Sequence, residues 1–239
     1  MELEENRVKA VYSRLLSAFG PRGWWPIAGE YRNGDYSTPR NSAEAEEVCI
    51  GAILAQNTAW KNVEKALDGL RAKGLLILER IAKAESNEVA ECIRSSGYYN
   101  QKTLKLKAFA GLVENSDGVN DMLDRPVEDL RKELLLVNGI GFETADSIVL
   151  YAARKPVFVV DAYTKRVFSR LGLLDEDAGY AEFKDFFEES LAPDFRVLNE
   201  YHALLVELGK RSCFKNDPDC TRCALRGNCE FARNKSKSN

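Results

Sequence analysis

The sequence predicts an all-α protein, and three observations carry that prediction. Apolar residues recur at helical spacing along nearly the whole chain. Only one run, Val157-Phe158-Val159-Val160, has the composition of a strand, and it follows Pro156 without a pairing partner. No long Gly/Ser or Pro linker, long-period repeat or low-complexity block precedes the last few residues, so the connections are short.

The elements follow in order. Val8, Val11, Tyr12, Leu15, Leu16 and Phe19 form one apolar stripe of a first helix. Asn41 or Ser42 can cap a helix carrying Val48, Cys49, Ala52 and Ile53, and Thr58 can cap the next, carrying Val63, Ala66, Leu67 and Leu70. Further helices fit 88–94, 101–115, 127–136, 142–153, 162–171, 179–190 and 198–208. The run 157–160 reads as a buried extended connector. The polar tail Asn234–Asn239 is expected to fray.

The 239 residues suffice for one large domain or two modest ones. Hydrophobic residues at 45% and charged residues at 30% match a soluble globular chain. No apolar run approaches the roughly 20 residues of a membrane helix. Met1-Glu2-Leu3-Glu4-Glu5 is too acidic for a signal peptide. A cytoplasmic, nucleoid-associated protein is expected, or a nuclear one if the source has a nucleus. The net charge of −3 does not announce a nucleic-acid binder, but from Arg196 onward nine Lys/Arg stand against five Asp/Glu. That segment is +4 and the remainder −7, and distribution matters more than the sum.

Four of the six cysteines, Cys213, Cys220, Cys223 and Cys229, form a C-x6-C-x2-C-x5-C pattern. Four thiolates within 17 residues suit one metal centre, and the C-x2-C pair favours ligation over disulfides. Spacing leaves zinc and iron–sulfur equally open. Cys49 and Cys92 stand alone in apolar contexts, as core residues do.

Gly139 and Gly141, in Val137-Asn138-Gly139-Ile140-Gly141, permit a tight turn opening into a helix. Free backbone N–H groups at such a turn can take a phosphate, although an ordinary helical corner has the same composition. Asp161 ends the run 157–160 and precedes Ala162-Tyr163-Thr164, the place of an N-cap worth ~0.5–2 kcal/mol.

The cysteine spacing, and the order glycine hairpin, helix, apolar run, aspartate, resemble the helix-hairpin-helix DNA glycosylases of the endonuclease III superfamily. Similarity runs from about residue 8 to 230. The resemblance implies a [4Fe-4S] cluster on the four cysteines, and two helical domains, 41–155 as a six-helix barrel and 1–40 with 156–239 as the second. A DNA-binding cleft would lie between them, with Asp161 as catalytic carboxylate facing the hairpin. Endonuclease III itself has a nucleophilic lysine where this chain has Glu143, and a carboxylate cannot form a Schiff base. A monofunctional glycosylase without lyase activity is therefore expected.

Trp24-Trp25-Pro26, Gln56-Asn57-Thr58, Gly97-Tyr98-Tyr99-Asn100-Gln101-Lys102 and Glu143-Thr144-Ala145-Asp146 resemble a narrower branch, the 3-methyladenine and archaeal uracil-DNA glycosylases. This implies Trp24 and Trp25 as stacking platforms for the extruded base, or else core anchors, Gln56 as the side chain filling the gap, and Tyr98 as the wedge. Glu46 falls near the place of a stacking aromatic in that branch, which keeps uracil as the second substrate class after an alkylated purine. Lys102, Lys165, Arg166, Lys210, Arg211 and Lys215 are candidate phosphate contacts by position, and the alternative reading of Lys210 is that it reaches the active site. The expected partner is duplex DNA with a damaged base, bound by a monomer. The competing readings are a DNA-binding module that has lost catalysis and an iron–sulfur interaction domain.

Overall fold

The structure, a computed structural model, describes residues 2–235. Its described residues form thirteen α-helices and no strand: α1 (Glu2–Phe19), α2 (Ser42–Leu54), α3 (Trp60–Ala72), α4 (Leu78–Lys83), α5 (Ser86–Cys92), α6 (Tyr99–Glu114), α7 (Val119–Asp124), α8 (Val127–Leu136), α9 (Phe142–Ser147), α10 (Ala162–Leu171), α11 (Tyr180–Ser190), α12 (Phe195–Arg211) and α13 (Glu230–Lys235). None is long and apolar enough to cross a membrane. Asn234 and Lys235, placed in the fraying tail by sequence, complete α13, and the rest of that tail lies outside the described residues.

The helices form two compact units. The central unit takes Trp25–Tyr31 and Asp35–Lys155, and the other takes the chain up to Trp24, Arg32–Gly34 and the chain from Pro156. In the central unit the second half of α2, Val48–Leu54, is apolar on all sides and buried accordingly, with Val48, Cys49, Ile50, Ile53 and Leu54 fully enclosed. Asn41 caps it, its side chain accepting the Glu44 N–H at 3.0 Å. Trp25 packs on this helix so closely that a Cβ on Gly51 would lie 2.9 Å from its ring. The cap expected at Thr58 does not form: α3 starts at Trp60 after Ala59, and the Thr58 hydroxyl instead accepts the Asn62 amide at 3.2 Å.

In the other unit α1, α11 and α12 surround an aromatic cluster. Phe158 stacks on Phe187 at 3.8 Å, and Tyr201 donates to the Val8 carbonyl at 2.8 Å. The run 157–160 lies outside any helix or strand and is buried. Side chains satisfy two of its backbone donors: Glu188 accepts the Phe158 N–H at 2.7 Å and the Tyr180 hydroxyl accepts that of Val160 at 3.4 Å. Those bonds replace a sheet partner.

The hairpin joins α8 to α9. Ile140 N–H donates to the Val137 carbonyl at 3.1 Å. Gly139 lies at φ +86°, and a Cβ there would also strike the packed stem of Lys105 at 2.5 Å. A bidentate ion pair pins the two helices: Arg131 Nε is 2.6 Å from Asp146 Oδ1, and Nη2 is 3.1 Å from Oδ2. Asp146 is fully buried. Beyond α9 the helix continues as a π-helical turn, Ile148–Ala152. Arg131→Met should destabilise the protein by about 3–5 kcal/mol, because it takes the bidentate partner from a buried carboxylate. Adding Asp146→Asn should restore part of the loss. Urea unfolding of the two variants measures both.

Candidate functional site

Asp161 is the N-cap of α10. Its Oδ1 accepts the Thr164 N–H at 2.7 Å, and its Oδ2 lies 3.6 Å from Nε2 of His202 on α12. Both side chains are 11% exposed. Burial pushes the Asp161 carboxyl up, but His202 and the Thr164 N–H outweigh it and hold the group below the usual carboxylate range. The result is a buried, ionised carboxylate with one oxygen committed to the helix and the other turned to an imidazole.

In the central unit, Gln56, Gly139 and Thr144 come together. The Gln56 amide donates to the Gly139 carbonyl at 3.1 Å and to the Thr144 hydroxyl at 3.0 Å, while its oxygen accepts from Lys105 at 2.5 Å. Gly141 is extended, exposed and the N-cap of α9, and Glu143 is exposed in the first turn. Tyr98 projects with 67% of its surface exposed from a left-handed backbone at φ +45°.

Trp25 is not an open stacking platform. It is 8% exposed, with Trp60 edge-on at 5.0 Å and Tyr151 at 5.3 Å, so it serves as a core anchor. Trp24 is half-buried and belongs to the other unit.

The four cysteines follow α12, on a loop gripped by two arginines of α10. Arg170 donates to Cys213 Sγ at 3.3 Å and to the carbonyls of Phe214 and Lys215 at 2.7 and 2.8 Å, and Arg166 donates to the Cys213 carbonyl at 2.9 Å. Cys229 donates to the Arg170 carbonyl at 3.2 Å. Burial raises the Cys223 and Cys229 thiols, and neighbouring cysteines raise them further: Cys213 and Cys229 act on the first, Cys213 and Cys220 on the second. Arg170 thus touches both ends of the cysteine segment, Cys213 through its guanidinium and Cys229 through its carbonyl. Among the described residues no three His, Cys, Asp or Glu side chains converge as ligands of a single ion. Four thiols on one loop are a donor set that suits either a zinc ion or an iron–sulfur cluster.

Residues 50–193 match the HhH-GPD superfamily of base excision DNA repair proteins. The chain belongs to that superfamily. It is 41% identical to the candidate DNA repair glycosylase MJ1434 of Methanocaldococcus jannaschii, over 95% of this chain and 99% of the relative. The crystal structure of the H. pylori 3-methyladenine DNA glycosylase MagIII bound to 1,N6-ethenoadenine matches with TM-score 0.70 and 29% identity, covering 87% of this chain and 97% of that one. A non-covalent endonuclease III–DNA complex shares the fold, with TM-score 0.77 and 20% identity over 98% of each chain.

As a DNA glycosylase of this superfamily, the protein needs cations that can reach phosphates, and the candidates divide sharply. Lys210 and Lys215 are exposed. Arg166 and Arg211 stand over the rings of Tyr163 and Phe19, at 5.0 and 5.4 Å, and each is bonded within the protein. Lys165 donates to the Ala178 carbonyl at 2.7 Å. Lys102 is not a surface contact at all. It is 2% exposed, and its ammonium donates to the carbonyls of Leu54 at 2.8 Å and Ser96 at 2.7 Å.

Sequence reasoning missed His202 and Lys105. His202 is the only histidine in the chain, which was a usable signal, but nothing in the sequence places it beside Asp161.

Burial, with help from the Lys105 cation, lowers the Lys102 ammonium to about 8 from the ordinary 10.5. Between those two values the unfolded chain holds a proton that the folded chain has released, so stability rises with pH. Relative to Lys102→Met, the wild type should gain on the order of 3 kcal/mol as pH rises from 7 to 11. Chemical unfolding of the pair across that range checks the sign and the window.

Proposed function

We propose that the protein is a monofunctional DNA glycosylase that hydrolyses the bond between deoxyribose and an alkylated purine such as 3-methyladenine. The observation that carries this reading is the Asp161 carboxylate, buried, ionised and fixed. As the base departs with the electron pair of its glycosidic bond, positive charge builds on the sugar. A preorganised carboxylate opposes that charge at no cost of reorganisation. Water adds its oxygen to C1′, its proton passes to the carboxylate, and an abasic site remains. An alkylated purine suits this site because it is already cationic and leaves as a neutral base. The likeness to the H. pylori 3-methyladenine enzyme supports that substrate class.

Glu143 supplies no amine, so no covalent sugar adduct forms through that position. The hairpin at Gly139–Gly141 takes a phosphate on its main-chain N–H groups, with Lys210 and Lys215 as further contacts. Tyr98 wedges into the duplex. Gln56 fills the vacated space, exchanging its bonds to Gly139 and Thr144 for bonds to a base. Cys213, Cys220, Cys223 and Cys229 would hold a [4Fe-4S] cluster, which when bound cross-links their loop.

Asp161→Asn keeps a capping oxygen and removes the charge. Excision should fall by about 10²-fold or more while binding to abasic-analogue DNA persists. The assay is free-base release from duplexes carrying 3-methyladenine, 7-methylguanine, hypoxanthine, uracil opposite G or 8-oxoguanine, followed by alkali. Borohydride should trap no adduct with the wild type, and an adduct appearing only in Glu143→Lys would show that this one side chain decides between the two reaction types. Near wild-type turnover of Asp161→Asn, release of uracil alone, or an adduct lost in Lys210→Ala would each overturn the corresponding part of the reading.

Purified without oxygen, the protein should be brown and carry about four irons per chain. Stoichiometric zinc without iron would refute the cluster. Cys220→Ser should impair folding or DNA affinity more than turnover of bound substrate.

A further inference from the structure

The Lys102 ammonium sits at the C-terminal ends of two helical turns. One is the end of α2, where the Leu54 carbonyl accepts at 2.8 Å, and the other is the turn Arg94–Ser96, where the Ser96 carbonyl accepts at 2.7 Å. Such ends are favourable places for a cation. Leu54 lies two residues before Gln56, and Ser96 two residues before Tyr98. Each of those loops then passes through a left-handed residue that is not glycine, Asn57 at φ +52° and Tyr98 at φ +45°. Left-handed backbone is costly for a tyrosine, so that turn needs support from outside its own sequence.

A methionine would fill the same space without the cost of burying a charge. What it could not do is donate to two carbonyls of different loops at once. One turn further along α6, Lys105 bonds Gln56, which in turn bonds the hairpin at Gly139. The two lysines therefore tie three segments to one helix.

We propose that Lys102 is a positioning residue that couples the Tyr98 turn to the Gln56 loop, so that wedge and gap-filler enter a duplex as a pair. This rests on the roles given to those two residues above. Extruding a base opens a space that closes again unless both side chains arrive together, and a pre-joined pair avoids ordering two loops separately on binding.

The test combines amide hydrogen exchange on the free protein with binding to intact duplexes and to duplexes carrying an abasic analogue. Lys102→Met should speed exchange at 55–58 and 96–99 together. Its loss of affinity for the abasic duplex should exceed its loss for intact duplex by about ten-fold. In the wild-type background the losses from Gln56→Ala and Tyr98→Ala should be non-additive, and in Lys102→Met they should add. Unchanged exchange in either loop, equal losses on both duplexes, or additivity in the wild-type background overturns the coupling. The last measurement holds even if Lys102→Met does not fold. Wild type without preference for the abasic duplex would refute the glycosylase reading instead, and the exchange data alone would then decide the coupling.

Discussion

The buried ion pair between Arg131 and Asp146 is the constraint on which the hairpin depends. Removing Arg131 would take the bidentate partner from a carboxylate that water does not reach, so the two helices flanking Gly139 are held at one spacing. With α8 and α9 fixed, the turn between them has little freedom. Gly139 must take a positive φ, and Lys105 packs against the face where a side chain would otherwise stand. The Gln56 loop then bonds to a turn that is already rigid. Order is passed from a charge pair to a backbone turn and from the turn to a loop, each step through a hydrogen bond.

Asp161 uses its two oxygens for different ends. The bond from Thr164 N–H to Oδ1 is an ordinary cap, which stabilises α10 and fixes the carboxylate in orientation. Oδ2 is left to electrostatics, and His202 stands beside it. A carboxylate in this degree of burial would by itself shift toward the neutral acid. The capping N–H and the imidazole reverse that tendency, so the same contacts that begin a helix keep the charge that the proposed chemistry requires. On that proposal, structure and catalysis draw on one set of bonds.

What was legible in the sequence follows from how local each feature is. The helices over 127–136 and 162–171, and the caps at Asn41 and Asp161, depend on residues within a few positions of each other, and the structure has them where the pattern puts them. The short helices α4 and α7, six residues each, carry too few turns to show a period. Thr58 has the right chemistry for a cap, but its hydroxyl accepts from Asn62 while Ala59 takes the N-cap position. For one reason Trp25 stays open in the sequence between stacking platform and core anchor, and Lys102 reads there as a surface contact. Sequence shows a side chain's chemistry and not its depth, and an aromatic or a lysine near a functional loop looks the same whether it faces solvent or holds the loop from beneath.

Three costly features of the central unit lie together. A lysine buried without a carboxylate, a tyrosine held in left-handed backbone and an asparagine in the same conformation lie on two short loops and the helix beneath them, whereas Ala28 and Arg154 take left-handed backbone elsewhere in the unit. Each violates a local preference that a residue swap would satisfy: an apolar residue for Lys102, a glycine for Tyr98. A strained tyrosine costs of order 1–3 kcal/mol, and a domain has only about 5–15 kcal/mol of net stability to set against such terms. Glycine at position 98 would relieve the backbone but remove the exposed ring. Methionine at position 102 would relieve the buried charge but free the two loops. In both cases the stabilising change deletes the feature a DNA-inserting loop needs, either a projecting aromatic or a fixed spacing from its partner. At position 98 the strain falls on a candidate contact and at position 102 the buried charge falls on its support, and packing alone would have been served by the cheaper residue at both positions.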